Sequence, residues 1–166
     1  MLSNRWHFGK FNRWAALPVS AENLETLKHC CRSAEARSVG DDVESPALVL
    51  CGDNARRRLD IARFLARQTH RRLVVVRIPE LLRLYFRDAD REINHLFDLR
   101  EKERTLLFFD EADSLLGQRH SVQKKLSYLL ARMADHTVPV ILSSGIPKIS
   151  PKVKADLSPQ LVMLEQ

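Results

Sequence analysis

The sequence predicts a three-layer α/β fold, a parallel sheet flanked by helices, from three observations. Short apolar runs of strand length, at Ala47–Gly52, Leu73–Ile78, Leu106–Phe109 and Val138–Leu142, alternate with longer stretches whose apolar residues recur at helical spacing. The 166 residues are 45% hydrophobic, which suits one core and not two full domains. One apolar run ends in two carboxylates, Asp110 and Glu111, at the carboxyl end of a strand, where open parallel sheets receive ligands.

The elements follow in order. An N-terminal lead-in over residues 1–45 carries Trp6, Phe8, Phe11 and Trp14, then Ser20, which can cap a helix running to about Arg37. Ser38–Pro46, with Gly40, Asp41 and Asp42, reads as a polar loop. The α/β core, residues 46–166, opens with the strand Ala47–Gly52. A helix from about Arg56 to Thr69 follows, with Leu59, Ala62, Phe64, Leu65 and Ala66 on its apolar side. Pro79 ends the strand Leu73–Ile78. Glu80–Arg87 and Asp90–Glu103 read as helices through Leu81, Leu82, Ile93, Leu96 and Phe97. After the acid-ended strand, Ser121–Asp135 is amphipathic through Val122, Leu126, Leu129, Leu130 and Met133, and Val138–Leu142 is the last expected strand. Right-handed crossovers would join these strands.

Composition narrows the function classes. No apolar stretch approaches the roughly 20 residues that span a bilayer, and the segment from Met1 to His7 lacks a signal peptide's apolar centre. A cytoplasmic protein with no membrane partner is expected. Cys30, Cys31 and Cys51 lack zinc-ligand spacing and read as reduced structural thiols. His95, His120 and His136 show no ligand spacing with one another. The 27 Lys plus Arg against 21 Asp plus Glu leave a net charge of +6, which favours an anionic partner. Much of the excess lies in Arg56, Arg57, Arg58, Arg63, Arg67, Arg71 and Arg72. These form either an anion site or a solvated helix face with snorkelling arginines.

The acid-ended strand looks like a Walker B motif. In that role Asp110 would hold the water shell of Mg²⁺ and Glu111 would polarise the water that attacks a γ-phosphate. The alternative is a strand-end turn with capping carboxylates. Upstream, a phosphate loop would read G-x-x-x-x-G-K-[ST], but the chain has Gly52-Asp53-Asn54-Ala55-Arg56-Arg57-Arg58-Leu59. Arg57 stands at the second glycine, Arg58 at the lysine, and Leu59 at the hydroxyl residue that would reach Mg²⁺. Arg57 opposes close backbone approach, Arg58 is a planar fork in place of a point charge, and Leu59 has no oxygen.

From Leu17 to about Ser144 the chain resembles the AAA+ family, in particular its AAA subgroup of protein-remodelling ATPases. Phe108–Arg119 is similar to that subgroup's Walker B and the segment after it. Val76–Arg87 with Asn94–Phe97 resembles the strand, pore loop and helix, and Tyr128–Met133 with Val140–Ser144 resembles the elements before sensor 1. The resemblance implies a P-loop NTPase-like sheet, with ATP and Mg²⁺ as cofactors if nucleotide binds at all. It places nucleotide contacts at Gly52, Arg57, Arg58 and Ser144, metal at Asp110, the catalytic carboxylate at Glu111, and pore contacts at Tyr85 and Phe86. Against the family pattern, sensor 1 falls at Ser144 or Gly145, Arg87 replaces a glycine, and Ile149–Gln166 holds no paired arginines. A helical lid would begin where this sequence stops. The expectation is a degenerate, pseudoenzyme module acting through a protein partner, such as a related active AAA+ ATPase, in a homo- or hetero-oligomer. The alternatives are an active remodeller with an arginine-rich phosphate loop and a nucleic-acid-associated regulator.

Overall fold

A computed structural model describes residues 11–36, 47–117, 124–134 and 140–165. Trp6, Phe8, the loop 38–46, Arg119, His120, Val122, His136 and Val138 lie outside the described residues, as does the side chain of Phe86.

The chain runs α1 (Ala21–Ala36), β1 (Leu48–Cys51), α2 (Ala55–Gln68), β2 (Arg72–Arg77), α3 (Ile78–Arg83), α4 (Phe86–Glu103), β3 (Thr105–Asp110), α5 (Asp113–Leu116), α6 (Lys124–Ala134), β4 (Val140–Ser144), α7 (Pro151–Leu157) and β5 (Gln160–Met163). A 3-10 turn at Trp14–Ala16 precedes α1. Ser20 caps α1 as expected, its Oγ accepting from Asn23 N at 3.3 Å.

The five strands form one sheet in the order β2-β3-β4-β1-β5, and every pairing within it is parallel. Alternation along each strand sends side chains to two faces. Leu48, Leu50, Phe108, Ile141 and Val162 meet Leu27, Cys30 and Cys31 of α1 and Ile61, Phe64 and Leu65 of α2. Val49, Leu107, Phe109 and Leu142 meet Ile78, Ile93, Phe97, Leu116, Leu129 and Val153 from the helices of the opposite face. Phe108 and Phe109 are fully buried, one in each layer, and truncating either would cost about 3–5 kcal/mol.

Chain direction across this sheet creates the site. From β1 the chain crosses through α2 to the far edge at β2. It returns through β3 and β4 on the other face, and then passes β1 through α7 to reach β5. Connections leaving β1 and β4 therefore depart to opposite faces, which opens a crevice at their carboxyl ends.

Several expectations change. Ile78 begins α3 instead of ending β2, and Pro79 occupies the first turn of that helix, where its missing N–H has no cost. The expected helix Glu80–Arg87 breaks at Leu84–Tyr85, and α4 begins at Phe86, ahead of the expected Asp90. α5, α7 and β5 were not expected. β5 is four residues long with only Val162 buried, so it lacks the continuous apolar run of the central strands. Its place is set by pairing with β1 and by an antiparallel bridge from Val19 to Leu164.

Candidate functional site

The carboxyl ends of β1, β3 and β4 bring together most of the residues that the sequence singled out. Between Cys51 and the start of α2 only Gly52, Asp53 and Asn54 remain. α2 therefore starts within the stretch that a phosphate loop would hold open. Asn54 is the N-cap: its side-chain oxygen accepts from Arg57 N at 3.1 Å, and its carbonyl accepts from Arg58 N at 3.2 Å. A helix N-terminus offers anions its unpaired amides, and here the Asn54 side chain already takes one of them.

Arg58 turns inward and is 5% exposed. Its Nε donates to Ser143 Oγ at 2.7 Å, and its Nη1 donates to the Gly52 carbonyl. The guanidinium thus bridges the ends of β4 and β1. Arg57 Nη1 donates to the Glu165 carbonyl at 2.9 Å. Leu164 lies over Gly52: a Cβ placed on Gly52 would stand 3.1 Å from Leu164 Cβ. Leu164 N donates to Cys51 O at 2.8 Å, and Glu165 N to Pro18 O at 2.7 Å. The chain after β5 therefore lies beside the β1–α2 turn.

Most of the arginine-rich stretch has similar internal partners. Arg63 pairs with Asp60 at 3.1 Å, Arg67 donates to Phe11 O and sits over the Phe64 ring, and Arg71 donates to Ala34 O at 3.3 Å. Burial, with Arg104 nearby, pushes the Arg71 pKa down. Arg56 is exposed. These side chains are largely clamps on carbonyls, which is neither a solvated face of snorkelling arginines nor an open anion site.

At the end of β3, Asp110 is half-buried and its Oδ1 accepts from Glu111 N at 3.0 Å. Glu111 sits at φ 54, a left-handed conformation that costs a non-glycine residue about 1–2 kcal/mol. Register places Arg77 beside Asp110, and Arg77 Nη2 donates to the Glu111 carboxylate while Nη1 donates to Glu80 at 2.9 Å. Bonding to Glu111 raises the Arg77 pKa, with Glu80 adding to it. Ser144 donates from Oγ to Asp113 Oδ1 at 2.8 Å, and Gly145 N donates to the same oxygen at 3.1 Å. Cys51 is buried there, and desolvation raises its pKa. Among the described residues, no group of three or more His, Cys, Asp or Glu side chains is placed to hold a metal ion.

Tyr85 stands apart from this cluster, 85% exposed, in the turn between α3 and α4.

Residues 60–154 match the family described as ATPase family associated with various cellular activities (AAA). The chain belongs to the AAA family. AAA domains generally bind ATP and Mg²⁺. The chain is also similar to protein mac-1 of Caenorhabditis elegans, with 28% identity over 89 residues. That alignment spans 53% of this chain and 11% of the relative, so the chain corresponds to a small part of that protein. The sequence pointed to Gly52, Arg57 and Arg58, which precede the matched residues, and to Asp110, Glu111 and Ser144 within them, and the fold gathers all six at one sheet end. It did not point to Asn54, Arg77, Asp113, Ser143 or Leu164. Asn54 carried a readable signal, an Asn just before a helical stretch, whereas Ser143 and Leu164 carried none. Among the described residues, no helix is long and apolar enough to cross a membrane.

Proposed function

We propose that this AAA-family chain is a module with little or no ATP hydrolysis that acts by binding a protein partner within an AAA+ or other multiprotein assembly. The observation that carries the reading is the inward Arg58, bonded to Ser143 and Gly52. A guanidinium committed to two internal acceptors has to break both bonds before it can meet a phosphate, and the buried acceptors left behind would cost about 1–3 kcal/mol each.

The rest of the site agrees. A magnesium-bound triphosphate needs a cradle of free amides, a cation at the β- and γ-oxygens and a hydroxyl on the metal. Asn54 occupies the helix N-terminus, Leu59 supplies no oxygen, and Arg77 holds Glu111. The residues present do not fit that ligand, so the preserved sheet and helices are read as an interaction scaffold. Arg57, the other candidate phosphate contact, donates to Glu165 O, which weighs against an arginine-rich phosphate grip.

The test is calorimetric titration of the purified chain with Mg-ATP, together with co-purification from its source. No saturable heat at millimolar nucleotide and a stoichiometric protein partner are expected. ATP hydrolysis that disappears in Glu111→Gln, and not in the surface control Lys152→Ala, would overturn the proposal. So would a chain that is recovered only as a monomer without partner.

A further inference from the structure

We infer that the open edge of β2 is a self-association surface, on which β2 of a second copy of this chain pairs antiparallel about a twofold axis at Val75. The inference is separate from the nucleotide crevice and does not depend on whether the chain hydrolyses ATP.

β2 lies at one end of the strand order, and among the described residues no strand lies beyond it. Arg72 N donates to Arg104 O at 3.2 Å, toward β3. Backbone groups alternate in direction along a strand, so the N–H and C=O of Leu73 and Val75, and the N–H of Arg77, point to the open side. Leu73–Val76 is an unbroken apolar run, yet none of the residues of β2 is buried, and Val75 is 46% exposed. Natural edge strands are blunted by prolines, charges or bulges. Between Arg72 and Arg77 there is no proline and no charge, and β2 keeps one-to-one register with β3 along its whole length. The β5 edge is protected differently. It is shorter, Leu164 bridges to Val19, and Met163 O accepts from Asn23 Nδ2 at 3.1 Å.

Register and charge both select a second copy. With Val75 opposite Val75 of the second copy, the two residues exchange their N–H···O bonds, and Leu73 O accepts from Arg77 N of the second copy. On the other face, Val74 stands against Val76 of the second copy, a β-branched cross-strand pair. The neighbouring registers fail. One sets Arg71 opposite Arg77, a like-charged pair, and the other sets Leu73 opposite Pro79, which has no N–H and lies in α3. Antiparallel pairing also brings unlike ends together. The amino end of β2 carries Arg71, Arg72 and Arg104, beside the balanced run Arg100-Glu101-Lys102-Glu103. At the carboxyl end the carboxylates of Glu80, Asp110 and Glu111 outnumber the guanidiniums of Arg77 and Arg83. A foreign strand would need the same apolar run and the same polarity of charge, and the chain's own β2 has both. A twofold contact uses one patch on each copy, so it covers both β2 edges at once.

The test is sedimentation equilibrium of the whole chain from about 1 to about 100 µM, with a dimer of the 19.1 kDa chain expected. Val75→Pro deletes an N–H that faces the open edge and not β3, so the fold should survive while the dimer Kd rises at least about 10-fold. Val75→Lys should act in the same way, because symmetry sets the two charges together, and it decides the matter if the proline chain does not fold. Leu161→Lys, on the β5 edge, should change nothing. A short bismaleimide should cross-link the dimer through Val75→Cys and not through Leu161→Cys. Three results would overturn the inference: a monomer at about 100 µM, a dimer equally tight in a Val75→Lys chain shown by circular dichroism to be folded, or a dimer broken by Leu161→Lys instead. The last result would move the contact to β5.

Discussion

Arg58 Nε and Ser143 Oγ stand 2.7 Å apart, both residues buried, and the bond ties the first turn of α2 to the end of β4. With the second bond to Gly52 O, it makes Arg58 a cross-link between β1 and β4 at the crevice where the family's ligand would sit. The position that the motif assigns to a phosphate-binding lysine has become part of the core's polar fastening.

Arg58→Ala should therefore destabilise the fold. It leaves the Ser143 hydroxyl and the Gly52 carbonyl without their buried donor, a loss of about 2–3 kcal/mol, read as a fall in Tm of about 4–12 °C. Arg58→Lys should recover only part, because an ammonium lacks the fork that spans both acceptors. Thermal denaturation unchanged in Arg58→Ala would show that this side chain is free in solution.

Gly52→Ala should cost about 1–2 kcal/mol through the contact at 3.1 Å with Leu164 Cβ. The clash is with a β-carbon, so adding Leu164→Ala should give no relief, whereas adding Leu164→Gly should. A double-mutant cycle by urea denaturation separates the two, and strict additivity in both pairs would remove Leu164 from the neighbourhood of Gly52.

Lys125→Met keeps most of the aliphatic stem and removes the donor to Leu82 O and Leu84 O. Amide hydrogen exchange across Leu84–Ala89 should speed up roughly tenfold, equivalent to about 1.4 kcal/mol of local opening, with exchange in β1 and β3 unaltered. Uniform acceleration throughout the chain would instead make Lys125 a determinant of global stability.

Cys30 and Cys31 are buried in α1, and desolvation raises their pKa values to about 11 and about 12. The folded chain thus favours the neutral thiols, and the unfolded chain ionises first as pH rises. Their contribution to stability is full below about pH 9 and is lost as pH climbs through about 11 and 12. Urea midpoints at about pH 8 and about pH 10.5 should lie closer together in a Cys30→Ala/Cys31→Ala chain than in the parent. Rapid modification of both cysteines by a thiol reagent at pH 8 without denaturant would contradict their burial.

The parts of this protein that were legible in the sequence are those set by local periodicity. Leu106–Phe109 had to be a buried strand, because a run of apolar side chains on both faces can only be satisfied between two layers. α2 and α6 had to turn Phe64 and Leu129 toward the sheet, because their apolar residues recur at three and four positions. Asp110 and Glu111 followed at the strand's end, and the altered loop from Gly52 to Leu59 was readable residue by residue.

What only the tertiary structure decided is where the long polar side chains go and what closes the sheet's edge. Nothing within α2 tells Arg58 to reach Ser143, 85 positions away, or Arg57 to reach Glu165. A flexible guanidinium takes whichever acceptors the assembled fold presents, and those come from strands distant in sequence. β5 has one buried residue and is a strand because β1 and Val19 offer it partners. Glu111 likewise has its conformation set by the turn to Ala112 and its charge met by Arg77 from a neighbouring strand. Hydrophobic burial writes a period into the chain, whereas hydrogen bonding between distant segments leaves no period to read.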